Sequence, residues 1–203
     1  MLRGFYFITD RGLSRRPEVD VVREALEGGA KIVQYREKDL PVEDMIRTAS
    51  KLRLMCSGRA LFIVNDEAEV AMAVDADGLH IGQDDMSLKT ARYILGKDKL
   101  IGVTVHSVEQ AVAADEGGAD YVAVSPIFPT ATKKDAGEPV GLQMLRDVKA
   151  KVTMPVAAIG GINESNVDSV IEAGADMVSS ISATVGKQDI RSAVKYFSTK
   201  WTK

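Results

Sequence analysis

Two cations and an amide fall at alternate positions in Gln34-Tyr35-Arg36-Glu37-Lys38, directly after the apolar pair Ile32-Val33. Side chains alternate along an extended chain, so Gln34, Arg36 and Lys38 point to one side for as long as the strand persists. Inward-facing charge of this kind is costly unless an anionic ligand or a carboxylate meets it. The competing reading is a solvated loop in which Arg36 and Lys38 pair with Glu37 and Asp39. Acids follow two further apolar runs: Asn65-Asp66 after Leu61-Phe62-Ile63-Val64, and Asp84-Asp85 shortly after Leu79-His80-Ile81. Acids beside cations suit a polyphosphate and magnesium, which takes one or two carboxylates and fills its shell with water and phosphate oxygens. Asp66 and one of Asp84 and Asp85 would suffice. Taken alone, an Asp behind a strand is as readily a turn former or a helix cap.

Donors gather at three later places. Thr130-Ala131-Thr132-Lys133 follows Tyr121-Val122-Ala123-Val124 through Pro126 and Pro129, whose rings fix φ. Its hydroxyls and ammonium suit a phosphate or pyrophosphate, against the plainer reading of a polar surface loop. Ile159-Gly160-Gly161-Ile162 and Ser179-Ser180-Ile181-Ser182-Ala183 can offer backbone amides to a second phosphate, or can be tight turns with ordinary capping serines. His80 lies inside an apolar run and reads as a satisfied core imidazole. His106, beside Thr104 and Ser107, is an accessory candidate near the mouth with no acid or nucleophile implied by its spacing.

All of these groups sit on the carboxyl side of short apolar runs, and the elements that place them can be read from a recurring phrase. Glu27-Gly28-Gly29-Ala30, Glu116-Gly117-Gly118-Ala119 and Glu172-Ala173-Gly174-Ala175 each read as a helix closed by glycine with a strand immediately behind, and Asp75-Ala76-Asp77-Gly78 is a weaker copy. Strands are expected near residues 4–9, 32–36, 61–64, 78–81, 100–104, 121–124, 156–159 and 177–181. Val42, Met45, Ile46, Ala49 and Leu52, and again Val108, Ala111 and Val112, recur at helical spacing between them. Continuously apolar strands alternating with amphipathic helices predict an α/β fold, a single (β/α)₈ barrel over residues 1–203. At 203 residues it would be shorter than the roughly 250 typical of that fold, with short loops and no second domain. An open doubly wound sheet is the rival, but Thr9-Asp10-Arg11-Gly12 is a poor dinucleotide fingerprint.

Composition narrows the function. Hydrophobic residues at 45% and charged ones at 27% allow an ordinary core, while a net charge of −3 with scattered Lys and Arg leaves no footprint for nucleic acid or an anionic membrane. The single Cys56 forms no internal disulfide and lies in a helical pattern, as a small buried side chain rather than a catalytic thiol. The start shows no cleavable signal and no apolar stretch reaches membrane-spanning length, so a cytoplasmic protein is expected. Homo-oligomerisation is left open.

The motifs QYREK at 34–38, ND at 65–66, HIGQDD at 80–85, PIFPTATKK at 126–134, IGGI at 159–162 and SSISA at 179–183 together resemble the thiamine phosphate synthase family. The resemblance implies a (β/α)₈ barrel transferase that joins 4-amino-5-hydroxymethyl-2-methylpyrimidine diphosphate to 4-methyl-5-(2-hydroxyethyl)thiazole phosphate and releases pyrophosphate. It further implies that Gln34, Arg36, Lys38, Asn65 and Lys133 hold the pyrimidine diphosphate, Asp66 and Asp85 a Mg²⁺ ion, and that Thr104 lies near the reacting centre. Thr130, Thr132, Gly161, Ile181 and Ser182 would hold the thiazole phosphate; Arg36, Lys38, Thr104 and Lys133 are the residues expected to assist the reaction. Two positions depart from the family pattern: Ser125 stands where Gly is common, and Glu67 follows Asp66 where Asp or another polar residue is usual. The alternatives are a thiazole tautomerase on the same barrel, in which His106 would serve as an acid/base, and a non-catalytic binder of thiazole phosphate.

Overall fold

Strands buried on both faces need helices outside and side-chain packing inside, and the apolar runs of this chain have both. The structure, a computed structural model that describes residues 2–132 and 137–201, begins with β1 (Gly4–Ile8), α1 (Arg11–Ser14), α2 (Glu18–Glu27), β2 (Ile32–Tyr35) and α3 (Val42–Cys56). It continues with β3 (Leu61–Asn65), α4 (Ala68–Ala73), β4 (Gly78–Ile81), α5 (Leu88–Leu95), β5 (Leu100–Val105) and α6 (Val108–Glu116). It ends with β6 (Tyr121–Val124), α7 (Gly141–Lys151), β7 (Val156–Ala158), α8 (Val167–Glu172), β8 (Met177–Val178) and α9 (Ile190–Ser198). The strands pair in chain order, all parallel, and β8 returns to β1, so the sheet closes as the (β/α)₈ barrel expected from the alternating pattern.

Two cores follow from the alternation. Phe5, Phe7, Val33, Phe62 and Val64 face outward against the helices, where α3 contributes Met45, Ala49, Leu52 and Cys56 at helical spacing. Tyr6, Ile8, Ile32, Ile63, Tyr121, Ala123, Ala157 and Met177 fill the inside. Among the described residues, no helix is long and apolar enough to cross a membrane.

The recurring Gly-Ala phrase is a helix-stop device at the amino ends of the strands. Gly29, Gly118 and Gly174 take φ of 97°, 80° and 104°, and the amides of Ala30 and Ala119 then reach back to the carbonyls of Ala25 and Ala114 at 3.0 Å. In the weaker copy Asp75 takes the left-handed position at φ 51°, and the Ala76 amide meets the Ala71 carbonyl at 2.9 Å. The next residue closes the bottom of the barrel. Asp77, Asp120 and Asp176 accept from amides at the start of the preceding strands, Phe62 at 2.7 Å, Ile101 at 2.8 Å and Val156 at 2.9 Å.

β1, β2 and β7 each end one residue before the expected position, and β8 falls short by three. β8 stops at Val178 rather than near residue 181, because the chain turns to hydrogen-bond itself: the Ser180 hydroxyl donates to the Ile162 carbonyl at 2.5 Å and the Val185 amide to Ile181 at 2.8 Å.

Candidate active site

The inward positions at the carboxyl ends of the strands open into one cavity of about 530 Å³. Continuing the interior rows of β1 to β5 by two residues gives Ile8, Gln34, Asn65, His80 and Thr104, all on its wall; Ser125, Ile159 and Ile181 continue those of β6 to β8. The site is therefore set by strand register, with loops adding the charged groups.

Arg36 and Lys38 both reach the cavity, as the alternation of β2 requires. Neither pairs with the neighbours that a solvated loop would supply. Arg36 Nη1 faces Asp10 Oδ2 at 3.4 Å, just past the end of the neighbouring β1, and Lys38 Nζ is in direct contact with the Asp66 carboxylate. Glu37 instead folds back, accepting from the amides of Lys38 and Asp39 at 2.8 Å each, with Arg11 3.7 Å from its other oxygen. That buried carboxylate fixes the turn that presents Lys38.

The side chains of Asp66 and Asp85 meet beside Lys38. Asp66 sits at φ 60°, a left-handed conformation that Asp tolerates, with its amide bonded to the His80 carbonyl at 2.8 Å. Burial raises its pKa, and the adjacent Asp85 carboxyl raises it further, while Lys38 opposes both. Asp85 is oriented by the Gly82 amide, which donates to it at 2.7 Å. Two converging carboxyl groups, one of them half-buried, need positive charge beyond a single lysine, and this fits a divalent cation. Among the described residues no group of three or more His, Cys, Asp or Glu side chains forms, so an ion here would take two carboxylates and fill its shell from water and phosphate.

Across the cavity, Thr130 and Thr132 line the wall from the loop after β6. That loop is tied to the end of β7: the amides of Ile127 and Phe128 donate to the carbonyls of Ile159 and Gly160 at 2.9 and 3.0 Å. The contact requires glycine. A Cβ on Gly160 would lie 2.5 Å from Pro126 Cβ, and one on Gly161 would lie 2.6 Å from the Pro129 carbonyl oxygen. The Ser125–Pro126 peptide bond is cis.

Of the residues singled out from the sequence, Gln34, Arg36, Lys38, Asn65, Asp66, Thr104, Thr130, Thr132, Ile181 and Asp85 line this cavity. Gly161 and Ser182 do not; Gly160 and Ile181 take the wall, because the Gly161 carbonyl is turned to the Asn166 side-chain amide at 3.0 Å. Lys133 lies outside the described residues. Sequence reasoning missed Gln83, whose amide donates to the Thr104 carbonyl at 2.6 Å, and the participation of His80 in the wall. His80 is satisfied, as read, and one of its partners lines the cavity: Nε2 lies 2.8 Å from Thr104 Oγ1. Alternation along β4 is the signal that would have found it. His106 also lines the cavity, with Nδ1 2.6 Å from the Ser125 carbonyl oxygen.

A closed parallel barrel whose carboxyl-end mouth pairs cations with two adjacent acids, opposite a hydroxyl-lined loop, defines an enzyme for phosphorylated small molecules. Residues 5–184 match the family model for thiamine monophosphate synthase. The chain is 54% identical over 193 residues to a thiamine-phosphate synthase of Methanosarcina barkeri, covering 95% of this chain and 88% of the relative. It is 46% identical over 192 residues to one of Chloroflexus aurantiacus, covering 94% and 88%. In structure it superposes on a thiamine phosphate pyrophosphorylase of Pyrococcus furiosus with a TM-score of 0.88 at 42% identity, over 96% of this chain and 93% of that one. The chain belongs to the thiamine monophosphate synthase family and is a transferase.

Proposed function

We propose that the barrel, taken as one domain over residues 1–203, joins 4-amino-5-hydroxymethyl-2-methylpyrimidine diphosphate to 4-methyl-5-(2-hydroxyethyl)thiazole phosphate at this mouth. The products are thiamine phosphate and pyrophosphate. The observation that carries the reading is the placement of Lys38 against Asp66, with Arg36 and Asp85 on the wall of the same cavity as Thr130 and Thr132.

The bond that breaks joins the pyrimidine methylene carbon to the diphosphate oxygen, and its electron pair leaves with pyrophosphate. The electron-rich aminopyrimidine disperses the positive charge left on the methylene. The thiazole nitrogen then forms the new carbon–nitrogen bond with its lone pair. No protein nucleophile or base takes part. Arg36 and Lys38 neutralise charge that grows on the leaving group, with Asn65 and Lys133 assisting, an electrostatic contribution commonly worth several kcal/mol. Asp66 and Asp85 would hold Mg²⁺, which when bound supplies further charge neutralisation at the diphosphate. Gln34 and Thr104 orient the pyrimidine. Thr130, Thr132 and the backbone beside Gly161, Ile181 and Ser182 hold the thiazole phosphate, so that the nitrogen is already placed when the methylene becomes electrophilic.

Small-molecule substrates follow from the family; the protein works as a cytoplasmic enzyme with no nucleic-acid or membrane partner. The tautomerase and the non-catalytic binder are not favoured, since the relatives above are synthases and neither alternative has a use for the paired acids. The test is to supply both phosphorylated substrates and identify thiamine phosphate by mass. Its formation is expected, and its absence with folded protein would overturn the reading.

A further inference from the structure

Five polar side chains cross the inside of the barrel in single file. Gln34 on β2 donates from Nε2 to the Tyr6 hydroxyl at 2.7 Å, and the Tyr6 and Tyr121 hydroxyls lie 2.7 Å apart. The Tyr121 hydroxyl is 3.0 Å from His80 Nδ1, and His80 Nε2 is 2.8 Å from Thr104 Oγ1. Both ends, Gln34 and Thr104, line the cavity, whereas the two phenols are buried beneath it. The fold makes room for the file. Gly102 on β5 pairs with Tyr121 on β6, and a Cβ there would lie 2.0 Å from the tyrosine Cζ. The Tyr121 ring also stacks on His80 with centroids 5.5 Å apart and packs edge-on to Tyr6 at 6.0 Å.

Hydrogen bonds in single file have a direction. Burial pushes both phenols well above the usual tyrosine range, so each keeps one proton to give. With the Gln34 amide as donor to Tyr6, the file would run one way: Tyr6 would give its proton to Tyr121, and Tyr121 its own to His80 Nδ1. With Nδ1 an acceptor, the neutral imidazole carries its hydrogen on Nε2 and donates it to Thr104. The Thr104 hydroxyl proton is then turned away from His80, and the Gln34 amide oxygen is left to meet a ligand.

We propose that Tyr6 and Tyr121 are positioning residues which, through His80, hold the two ends of the cavity in opposite polarity, an amide acceptor at Gln34 and a hydroxyl donor at Thr104. This rests on the function proposed above: an aminopyrimidine, with an amino donor near ring-nitrogen acceptors, is a ligand of matching polarity. The heterocycle is thereby oriented by groups it never touches.

The test uses the full chain and its Tyr6→Phe and Tyr121→Phe variants, which keep the rings and remove only the hydroxyls. Nitrogen-15 NMR of labelled histidine reads the His80 tautomer without substrate; His80 and His106 are the only histidines, and His106→Asn assigns the signals. The parent should show His80 with its hydrogen on Nε2, and Tyr121→Phe should shift that signal toward a tautomer mixture. In steady state, each variant should raise KM for the pyrimidine diphosphate about 3- to 10-fold, as loss of an ordinary hydrogen bond does, and leave KM for the thiazole phosphate essentially unchanged. An Nδ1–H or mixed tautomer in the parent, or an unchanged pyrimidine KM in both variants, would overturn the inference. The two readings fail separately: no thiamine phosphate from the parent overturns the function, while the tautomer of the unliganded protein decides the polarity of the file.

Discussion

Asp66 carries a local charge conflict: burial and the Asp85 carboxyl both disfavour its ionised form, and Lys38 alone opposes them. Such a conflict is retained where a ligand resolves it, because a cation and the phosphate it carries satisfy acids and lysine together. Asp85→Ala and Lys133→Ala are therefore expected to abolish turnover, by 100-fold or more in kcat/KM on the scale of about 3 kcal/mol for a lost electrostatic contact, with circular dichroism unchanged. Full activity in either variant removes that residue from the mechanism. Other buried groups report on the fold alone. Burial, then Asp77, pushes the Cys56 thiol up to about 12, and burial, then Glu37 and Glu18, pushes the Tyr35 phenol up to about 12. The unfolded chain releases these protons from roughly pH 8.5 and pH 10, so their contribution to stability is whole below that range and declines as pH rises toward 12. Urea midpoints at neutral and strongly alkaline pH check the sign: the alkaline midpoint should be lower, and less so in Cys56→Ala.

At the scale of elements, the two ends of the barrel do different work. The carboxyl ends hold the cavity, while at the amino ends Asp77, Asp120 and Asp176 each hold an amide at the start of the preceding strand. Asp120 is also bound by Arg92 at 2.6 Å. Asp120→Ala leaves the Ile101 amide without that acceptor, and should cost about 1–3 kcal/mol, a fall in Tm of several degrees, with KM and kcat unchanged. A loss of activity at full stability would place Asp120 in the site instead. The loop after β6 gives the converse case. Gly161→Ala, at φ 65° and against the Pro129 carbonyl, should displace Thr130 and Thr132 and raise KM for the thiazole phosphate more than it lowers Tm. The repeated Gly-Ala phrase was legible as helix stops because its conformation is local. The role of the following Asp was not, since its partner amide lies 15 to 20 residues away on a neighbouring strand.

At the scale of the molecule, legibility followed the range of the interaction. Period-two alternation placed Gln34, Arg36 and Lys38 on one side, and closure of the strands in chain order brought them to Asn65, Asp66, Asp85 and Thr104. Pairings between residues far apart in the chain stayed hidden: Arg36 with Asp10 after the neighbouring strand, and Tyr6 with Tyr121 across 115 residues of chain. The choice of Gly160 over Gly161 for the wall also stayed hidden, because a single turn decides which of two adjacent glycines faces inward. In the proposed reaction this mouth couples departure of pyrophosphate to capture of the methylene by the thiazole. The most direct measurement is a single-turnover reaction with both substrates, with magnesium and with a chelator, following pyrophosphate and thiamine phosphate together. The two products should appear at one rate in equal amounts, and only with magnesium. Pyrophosphate released without thiamine phosphate, or thiamine phosphate formed at full rate in chelator, would contradict it.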